Sequence, residues 1–377
     1  MFTALDEYLV HQTPETVDRV FTSDRNFYDR YYFGAYSPDG DAYLMVAMGL
    51  YPNVGVIDAF ATAVIGGETQ HIVRASRELR GDRMDTKVGP IGVQIVEPLR
   101  RVRVFCEPND QGLTFDLTFD ARTAPFEEPH FFRRSGPRVV MDYTRMTQQG
   151  RWSGTFTAGG TTWQVRPEQW RGVRDHSWGI RPVGGGEPPS APPPDGGGLA
   201  GFYWVWSPAQ FADACLMYTV SEEPDGRRWH SAAELLYPPE SGRAPEQLVV
   251  AEHDFRLKPG TRLWGGGSMT VLRDGKPVRF TMTPKTTLYM AGGGYSYLGG
   301  WRHGQYHGPL VVETEQWDLR DPAVVAKAGV HTQTICDYTV EGADDLGPGA
   351  GVFEFLLLGA YLPYGLKSFT DVAPAAS

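Results

Sequence analysis

Short segments in which apolar and polar residues alternate recur along almost the whole chain. The clearest is segment 113–121, LTFDLTFDA, whose apolar residues share one face of an extended strand: Leu113, Phe115, Leu117 and Phe119. A period of two residues is typical of an antiparallel strand with one buried face. A helix would instead repeat its apolar residues every three or four positions. Most of the chain is therefore expected to form β-sheet.

Turn residues separate the alternating runs and indicate hairpins. Examples are Pro38-Asp39-Gly40, Gly66-Gly67 and Asp274-Gly275. The runs rich in β-branched and aromatic residues are predicted as strands. Besides 113–122, they cover 42–51, 54–65, 69–79, 100–108, 201–208, 213–221, 228–238, 252–260, 266–275, 279–287, 310–320, 331–340 and 352–363.

A segment rich in glycine and proline, PVGGGEPPSAPPPDGGGL, divides the chain almost in half. Such a composition cannot bury a core and is typical of a linker. The sequence thus predicts an all-β protein with two barrel or sandwich domains in tandem, at 1–181 and 200–377, joined by a linker at 182–199. Two short peripheral helices are expected, one opening at Thr13-Pro14 and one at Asp321-Pro322 and ending at Gly329.

Composition excludes several classes of function. With 35 basic and 45 acidic side chains, the net charge is −10, which disfavours binding to nucleic acid or to an anionic membrane. No run approaches the roughly 20 apolar residues of a membrane-spanning helix. The first 16 residues contain no apolar core of a secretory signal, so a cytoplasmic location is expected.

The three cysteines favour no metal or redox chemistry. Cys106, Cys215 and Cys336 lie far apart in strand-like surroundings, which favours buried free thiols over a nucleophile or a zinc site. The glycine-rich runs 265–267 and 292–300 precede no predicted helix, so they do not resemble phosphate loops or dinucleotide fingerprints. No cofactor and no metal are expected.

The densest group of chemically active residues closes the first half of the chain. Residues 168–182 read EQWRGVRDHSWGIRP, and the aromatic strand FYWVWS follows the linker. This pattern, W-x-G-x-x-D-x-S-W-G-x-R followed by a linker and an aromatic strand, resembles the two-domain lipocalin-like β proteins. That group includes carotenoid 1,2-hydratases (hydroxyneurosporene synthases) and fungal pericyclases of the Diels–Alderase type.

The resemblance implies two lipocalin-like β domains with a hydrophobic pocket at or near their interface. It also implies hydration, dehydration, isomerisation or cyclisation of a lipophilic small molecule without a redox cofactor. The glycine- and proline-rich insertion and the histidine beside the aspartate are features of this sequence that the group need not share. The substrate is not fixed by the resemblance.

The residues themselves allow two interpretations of the motif. In an extended strand, Arg174 and His176 point one way and Asp175 the other, where Arg171 or Arg181 could pair with it. Asp175 and His176 would then be a general acid and its partner, with Arg174 binding ligand. Alternatively, the cluster is structural and pins one domain against the other.

Aromatic residues after the linker are candidate pocket walls. Their faces could line a cavity for a flat or isoprenoid ligand and stabilise a cation, or they could simply fill a barrel core. Together with Trp178 of the motif, the candidates are Trp204, Trp206, Tyr295, Tyr297 and Trp301.

Two further groups of polar residues are candidates. His303 and His307 have the spacing of a helical metal site, but the glycines and proline around them disfavour a helix, so His307 is assigned to a pocket mouth or a turn. Glu313 and Glu315 share one face of a strand, about 7 Å apart, which is close to the separation of glycosidase carboxylates. Alternatively, that face is simply exposed to solvent.

Three functions from different classes therefore remain open. The first is a cofactor-independent lyase or isomerase that acts on an isoprenoid, steroid or polyketide by acid–base chemistry in a β-barrel pocket. The second is a carrier or sensor that binds such ligands without converting them, because fold alone does not decide function. The third is a carbohydrate-processing enzyme that uses Glu313 and Glu315.

Overall fold

The structure is a computed structural model that describes residues 5, 9–183, 201–295 and 300–375. Within these residues, the first half of the chain forms thirteen strands. They are β1 (Phe27–Tyr36), β2 (Ala42–Tyr51), β3 (Val56–Ile65), β4 (Thr69–Glu78), β5 (Lys87–Val88), β6 (Ile91–Glu97), β7 (Arg101–Cys106), β8 (Thr114–Ala121), β9 (Phe126–Glu127), β10 (Phe131–Ser135), β11 (Arg138–Ala158), β12 (Thr161–Val165) and β13 (Arg171–Ile180).

The second half contributes ten strands and one α-helix within the described ranges. They are β14 (Gly201–Trp206), β15 (Ala209–Gln210), β16 (Cys215–Glu222), β17 (Arg228–Leu236), β18 (Glu246–Leu257), β19 (Trp264–Arg273), β20 (Lys276–Tyr289), β21 (Leu310–Asp318), α1 (Pro322–Ala328), β22 (Thr332–Glu341) and β23 (Gly349–Gly359). The predicted all-β class, with two barrel-like sheets in tandem, is confirmed.

The first sheet follows the order β21-β4-β3-β2-β1-β13-β11-β8-β7-β6-β5, and β9, β10 and β12 also pair with β11. Its neighbouring strands are antiparallel, as the hairpin signals predict. β21 comes from the second half of the chain, since Leu310 to Asp318 pair with β4 along its length. The second half therefore supplies an edge strand to the first sheet.

The second sheet closes on itself. Its order is β14-β16-β15-β23-β22-β20-β19-β18-β17, and additional pairing of β14 with β23 and of β16 with β17 completes the ring. Closure leaves no free edges among these strands, which stabilises an antiparallel sheet against further association. The second half thus forms a barrel.

Three apolar clusters account for the packing. One fills the space enclosed by the first, barrel-like sheet and includes Phe33, Phe119 and Trp152. A second fills the second barrel and includes Phe280 and Phe353. The third lies between the sheets and joins the outer faces of β1, β2 and β13 to those of β14, β16, β22 and β23. This third layer brings residues from the two halves together.

One of the two predicted helices is present. Helix α1 begins after Asp321, whose side chain accepts a hydrogen bond from the Ala323 amide at 2.8 Å, and it ends at Gly329. The helix predicted at Thr13-Pro14 is wrong, because residues 10–20 form bends and turns. A capping residue favours a helix only where apolar side chains on its face can pack, and nucleation is otherwise costly.

The three cysteines are buried and free, in agreement with the sequence. Burial raises the pKa of the Cys106 thiol to about 12 and that of the Cys215 thiol to about 11. Most of the predicted linker, residues 184–199, lies outside the described residues, as does Tyr297.

Candidate functional site

Strand β13, which carries the Arg-Asp-His sequence, lies inside the first sheet between β1 and β11. Its side chains alternate between two environments, as the sequence predicts. Asp175 faces the second sheet, on the same side as Val173 of the cluster between the sheets. Arg174 points into the first sheet, where it donates hydrogen bonds of 3.0 and 2.6 Å to Gln148 Oε1. The neighbouring residues Arg174 and Asp175 therefore lie in different environments, one inside the first sheet and one facing the second sheet.

Asp175 is buried without a strong partner. Its side chain is 8% exposed, and its Oδ1 atom accepts no hydrogen bond from a described residue. Burial raises the pKa of this carboxyl group, and the positive charges of Arg145, Arg30 and Arg181 act in the opposite direction. The expected ion pair with Arg171 or Arg181 does not form. A carboxylic acid that holds its proton more tightly than usual suits proton donation near neutral pH.

On the β11 side, Asp175 neighbours a buried carboxylate. Thr147 lies opposite Asp175, and its hydroxyl donates to Glu128 Oε1 at 2.7 Å. The Trp206 indole donates to the same oxygen at 3.0 Å, and Arg145 Nη1 lies 3.5 Å from Glu128 Oε2. Burial raises the pKa of Glu128, against the charge of the arginine. Trp206, a predicted pocket wall, therefore contacts this region.

On the β1 side, a chain of hydrogen bonds connects the two sheets. Tyr32 lies opposite Asp175, and its hydroxyl donates to Gln333 Oε1 at 2.7 Å. Gln333 Nε2 donates to Glu354 Oε2 at 2.9 Å, and Glu354 Oε1 lies 2.6 Å from His331 Nε2. The carboxylate thereby orients the imidazole. The ring nitrogen that contacts the carboxylate is thereby fixed in direction.

Tyr295 lies at the centre of a neighbouring group of ionisable residues. Arg30 donates a hydrogen bond to its hydroxyl, and the rings of His303 and His331 pack edge-on to it at 4.6 and 4.8 Å between centroids. His303 Nδ1 lies 3.8 Å from Asp58 Oδ1. Burial raises the pKa of Asp58 to about 7 and lowers the pKa of His303. Asp58 is therefore partly protonated near neutral pH, and His303 is held in its neutral form.

Together these residues form a charged layer between the two sheets, which we call the junction cluster. Arg145 shows how aromatic residues take part in it, since its guanidinium carbon lies 5.0 Å from the centre of the Trp204 ring. Trp204 was predicted to line a pocket, and the cation against its ring is the guanidinium of Arg145. The members of the junction cluster are Arg30, Asp58, Glu128, Arg145, Asp175, Arg181, His303, His331 and Glu354.

His176 and Trp178 lie on the opposite face of β13. His176 Nε2 lies 2.7 Å from Asp29 Oδ1, and its ring packs against Tyr31 and Trp178 at 4.5 and 4.9 Å. Trp178 is 39% exposed. The structure therefore does not bring His176 together with Asp175.

Four other predicted residues lie together on the outer face of β4 and β21. The Trp301 indole donates to Glu313 Oε2 at 2.7 Å, and its ring stacks on His307 at 3.8 Å. Glu313 and Glu315 both pair with Arg74, at 3.5 and 2.8 Å, and their side chains are 48% and 41% exposed. Each carboxylate of the candidate glycosidase pair is thus bound to one arginine.

This outer group adjoins the junction cluster. The Phe60 ring contacts both Trp301 and His303, with centroids 6.2 and 4.9 Å apart. Of the predicted ligand-binding residues that the structure describes, Trp204, Trp206 and Tyr295 contact the junction cluster directly. Trp301, His307 and Glu313 lie at its border, and Arg174 and Trp178 lie on the far face of β13.

Several members of the junction cluster were missed by the sequence analysis. Arg30 lies in the aromatic strand FYDRYYFGAY, and Glu354 lies alone in the apolar run VFEFLLLGA. A single charge inside an apolar strand must be paired or functional, because burial of an isolated charge is costly. The sequence shows these isolated charged residues directly. It does not show which residues pair with them.

No three His, Cys, Asp or Glu side chains converge on a possible metal site among the residues described. Within the same residues, no helix is long and apolar enough to cross a membrane.

The fold and the site define a class: an all-β protein of two packed sheets with a charged, largely buried layer between them. A family described as "Family of unknown function (DUF8625)" matches residues 2–367, and the chain belongs to this family. No curated protein matches the sequence.

Solved structures similar to the chain include three that extend along most of its length. CghA with Sch210972 is 12% identical, with 92% of this chain and 90% of that chain covered and a TM-score of 0.45. Kievitone hydratase from Nectria haematococca is also 12% identical, with coverage of 88% and 89% and a TM-score of 0.42. An AttH candidate from Nitrosomonas europaea is 15% identical, with coverage of 89% and 93% and a TM-score of 0.48. A protein named as a hydratase is thus among the solved structures to which the chain is similar.

Proposed function

We propose that the protein is a cofactor-independent lyase or isomerase, of the hydratase, dehydratase or cyclase type, that acts on a hydrophobic small molecule in the layer between the two sheets. The observation that carries this proposal is the state of Asp175. Its carboxyl group is buried, its pKa is raised, and its Oδ1 atom has no partner among the described residues. Such a group in a structural ion pair would instead be fully hydrogen-bonded.

Asp175 is assigned the role of general acid. In its protonated form it can transfer a proton to a double bond or to a carbonyl oxygen of the substrate, and it becomes a carboxylate in doing so. Arg145, Arg30 and Arg181 then stabilise the aspartate that forms. The same three charges favour substrates in which negative charge develops, such as an enolate next to a carbonyl group.

His331 is assigned the complementary role of base. Its contact with Glu354 favours the imidazole form in which Nε2 carries a proton and supports the positive charge that develops on proton uptake. The hydrogen-bond chain through Gln333 and Tyr32 links this histidine to the strand position opposite Asp175. His176 is too poorly placed for this role, because it lies across β13 from Asp175.

The aromatic residues supply an apolar surface around these groups. Trp204, Trp206 and Tyr32 belong to the buried cluster between the sheets, and the Tyr32 and Trp206 rings meet edge-to-face at 5.8 Å. Exclusion of water by such side chains strengthens the electrostatic effect of the arginines. The substrate is accordingly proposed to be largely hydrophobic, as an isoprenoid, steroid or polyketide is.

Mass spectrometry of a lipophilic extract incubated with the purified protein tests this function. A product that differs by one water indicates a hydratase or dehydratase, and a new retention time at unchanged mass indicates an isomerase or cyclase. Asp175→Asn is expected to abolish product formation. Asp142→Asn is the matched control, because Asp142 lies on β11 with a side chain that is 41% exposed.

Two results would contradict the proposal. A ligand that co-purifies with both proteins and is never converted would identify a carrier. Conversion of a sugar that survives Asp175→Asn and is lost in Glu313→Gln would identify a carbohydrate-processing enzyme on the outer face of β21.

A further inference from the structure

Three arginines lie side by side at the end of the first sheet that meets the second barrel. Arg151 on β11 is directly opposite Arg171, the first residue of β13. Side chains at directly opposite positions of antiparallel strands are about 5 Å apart at their Cβ atoms. Arg122 follows β8, and its amide donates to the Gln149 carbonyl of β11 at 2.8 Å. The sheet register therefore places three guanidinium groups in one neighbourhood.

None of the three arginines forms an ion pair with a described residue. Asp120 lies opposite Arg151 on β8, but its carboxylate is bound by Arg101 at 2.6 Å. The Arg122 guanidinium donates to the backbone carbonyls of Phe211 and Ala212 in the second barrel, which carry no net charge. Arg171 Nε is buried and has no hydrogen-bond acceptor.

Two other ionisable groups near the arginines, Tyr36 and Cys215, are held in their neutral forms. Tyr36, opposite Arg171 on β1, and Cys215 both have raised pKa values, chiefly because of burial, although the arginines act to lower them. Burial is the main cause that lowers the pKa of Arg151, and the positive charges of Arg122 and Arg171 lower it further. The three like charges thus repel one another without a counter-ion in a protein whose net charge is −10.

Three other arginines with little exposure have carboxylate partners, whereas the buried Arg174 and Arg262 donate to neutral oxygens of Gln148 and of the backbone. Arg77 pairs with Asp85 at 2.9 Å, Arg133 pairs with Glu223 at 2.7 Å, and Arg273 pairs with Glu246 at 2.7 Å. Uncompensated positive charge is costly in a half-buried position. Three such residues together are expected where an anionic ligand supplies the missing charge.

We propose that Arg122, Arg151 and Arg171 form a binding site for the phosphate or diphosphate group of a small molecule. The planar fork of a guanidinium matches the oxygens of a phosphate in a bidentate manner. A carboxylate would neutralise only one of three charges, whereas a diphosphate carries enough negative charge for all of them. The carbonyls of Phe211 and Ala212 fix Arg122, so part of the site is preorganised by the second barrel.

The site is separate from the junction cluster and does not depend on the function proposed for it. Arg171 and Asp175 point to the same side of β13, four residues apart, which corresponds to about 13 Å along the strand. One amphiphilic ligand could therefore reach both places, or a separate phosphate compound could bind at the arginines alone. Phosphate recognition is common to the two cases.

Isothermal titration with inorganic pyrophosphate and with inorganic phosphate, at one fixed ionic strength, tests the site. The wild-type protein is expected to bind pyrophosphate more tightly than phosphate. In the double variant Arg151→Gln/Arg171→Gln, the Kd for pyrophosphate is expected to rise by about tenfold or more, the loss of at least one good charge-assisted contact.

The control removes the same charge elsewhere. Arg103 and Arg320 are surface residues with their own carboxylate partners, Asp116 and Asp318. The double variant Arg103→Gln/Arg320→Gln is expected to change the Kd by less than about twofold, because exposed charges are screened. An equal loss in both double variants, or no pyrophosphate binding by the wild-type protein, would overturn the proposal.

The thermal midpoint of each variant distinguishes loss of the binding site from misfolding. Without ligand, the thermal midpoint of Arg151→Gln/Arg171→Gln is expected to equal or exceed that of the wild-type protein, since repulsion is relieved. Pyrophosphate is expected to raise the midpoint of the wild-type protein only. If the double variant does not fold, the single variant Arg171→Gln serves instead, and unchanged pyrophosphate binding in it would refute the site.

Competition between pyrophosphate and a converted substrate would show that the phosphate belongs to that substrate.

Discussion

The interior of the first barrel and the layer between the two sheets are both buried, yet they are built differently. The barrel interior consists of apolar side chains, such as Phe33, Phe119 and Trp152, and the Trp152 indole has its acceptor, the Gly34 carbonyl at 2.9 Å. The layer between the sheets holds arginines, carboxylates and imidazoles, of which Asp175, Arg30 and His303 keep polar atoms without partners among the described residues.

We interpret this difference as a division between a region that serves stability and a region that serves the proposed chemistry. Buried polar groups in a region that only stabilises are satisfied, because each unsatisfied group costs free energy. A region that must bind and convert a ligand keeps polar groups available at some cost in stability. We therefore propose the site between the sheets rather than inside the first barrel, whose interior is filled by aromatic and aliphatic side chains.

The largest effect on stability is expected inside the barrel. Trp152→Ala removes a side chain that is 1% exposed and packs edge-on against Phe119 at 5.2 Å. The free energy of unfolding should fall by about 3 to 5 kcal/mol, measured by chemical denaturation. Trp178→Ala, at a 39% exposed position, should cost about 1 kcal/mol or less. Equal costs would mean that the first barrel does not hold the main core.

The next largest effect is expected from a carboxylate of the junction cluster. Glu128→Gln leaves Arg145 buried without its ion-pair partner, which should lower the free energy of unfolding by about 3 kcal/mol. The neighbouring residue offers a control, since Glu127 is exposed and Glu127→Gln should change stability by about 0.5 kcal/mol or less. A small effect of Glu128→Gln would show that Asp175 can replace Glu128 as the partner of Arg145.

A smaller effect should appear in the pH dependence of stability. Burial raises the pKa of Asp58 from 3.8 to about 7, so between these values the folded protein holds a proton that the unfolded chain releases. Through this group, stability falls as the pH rises across that window, by at most about 1.4 kcal/mol per pH unit. Asp58→Asn should remove this slope, and the variant should gain stability relative to wild type as the pH increases.

Unfolding curves recorded between about pH 4 and pH 8 provide the measurement for Asp58. Asp110→Asn is the control, because Asp110 is exposed on a loop. Parallel pH profiles for Asp58→Asn and the wild-type protein would mean that Asp58 is already ionised in the folded state.

Local sequence patterns predicted much of this architecture. The alternation in segment 113–121 identifies β8, and Asp274-Gly275, with φ of 50° and 76°, forms the turn between β19 and β20. Alternation on β13 also placed Asp175 and His176 on opposite faces. These features depend only on residues that are close in sequence, so they can be inferred from the sequence alone.

Contacts between distant segments could not be inferred in this way. The Glu354–His331 pair requires the register of β22 against β23, and its link to Asp175 requires the packing of one sheet on the other. The pairing of β21 with β4 is likewise non-local, because the paired residues lie at least 233 positions apart in the sequence (310 − 77 = 233 for Leu310 and Arg77). Strand patterns predict that such segments are extended, but not which strand they join.

The most direct test of the central claim compares two adjacent residues on opposite faces of β13. Turnover of a substrate identified by mass spectrometry should fall by about 100-fold or more in Asp175→Asn, while its thermal midpoint stays within a few degrees of wild type. His176→Asn, which changes the other face, should lose far less activity. The reverse result, with turnover lost in His176→Asn and kept in Asp175→Asn, would contradict a reaction site between the sheets.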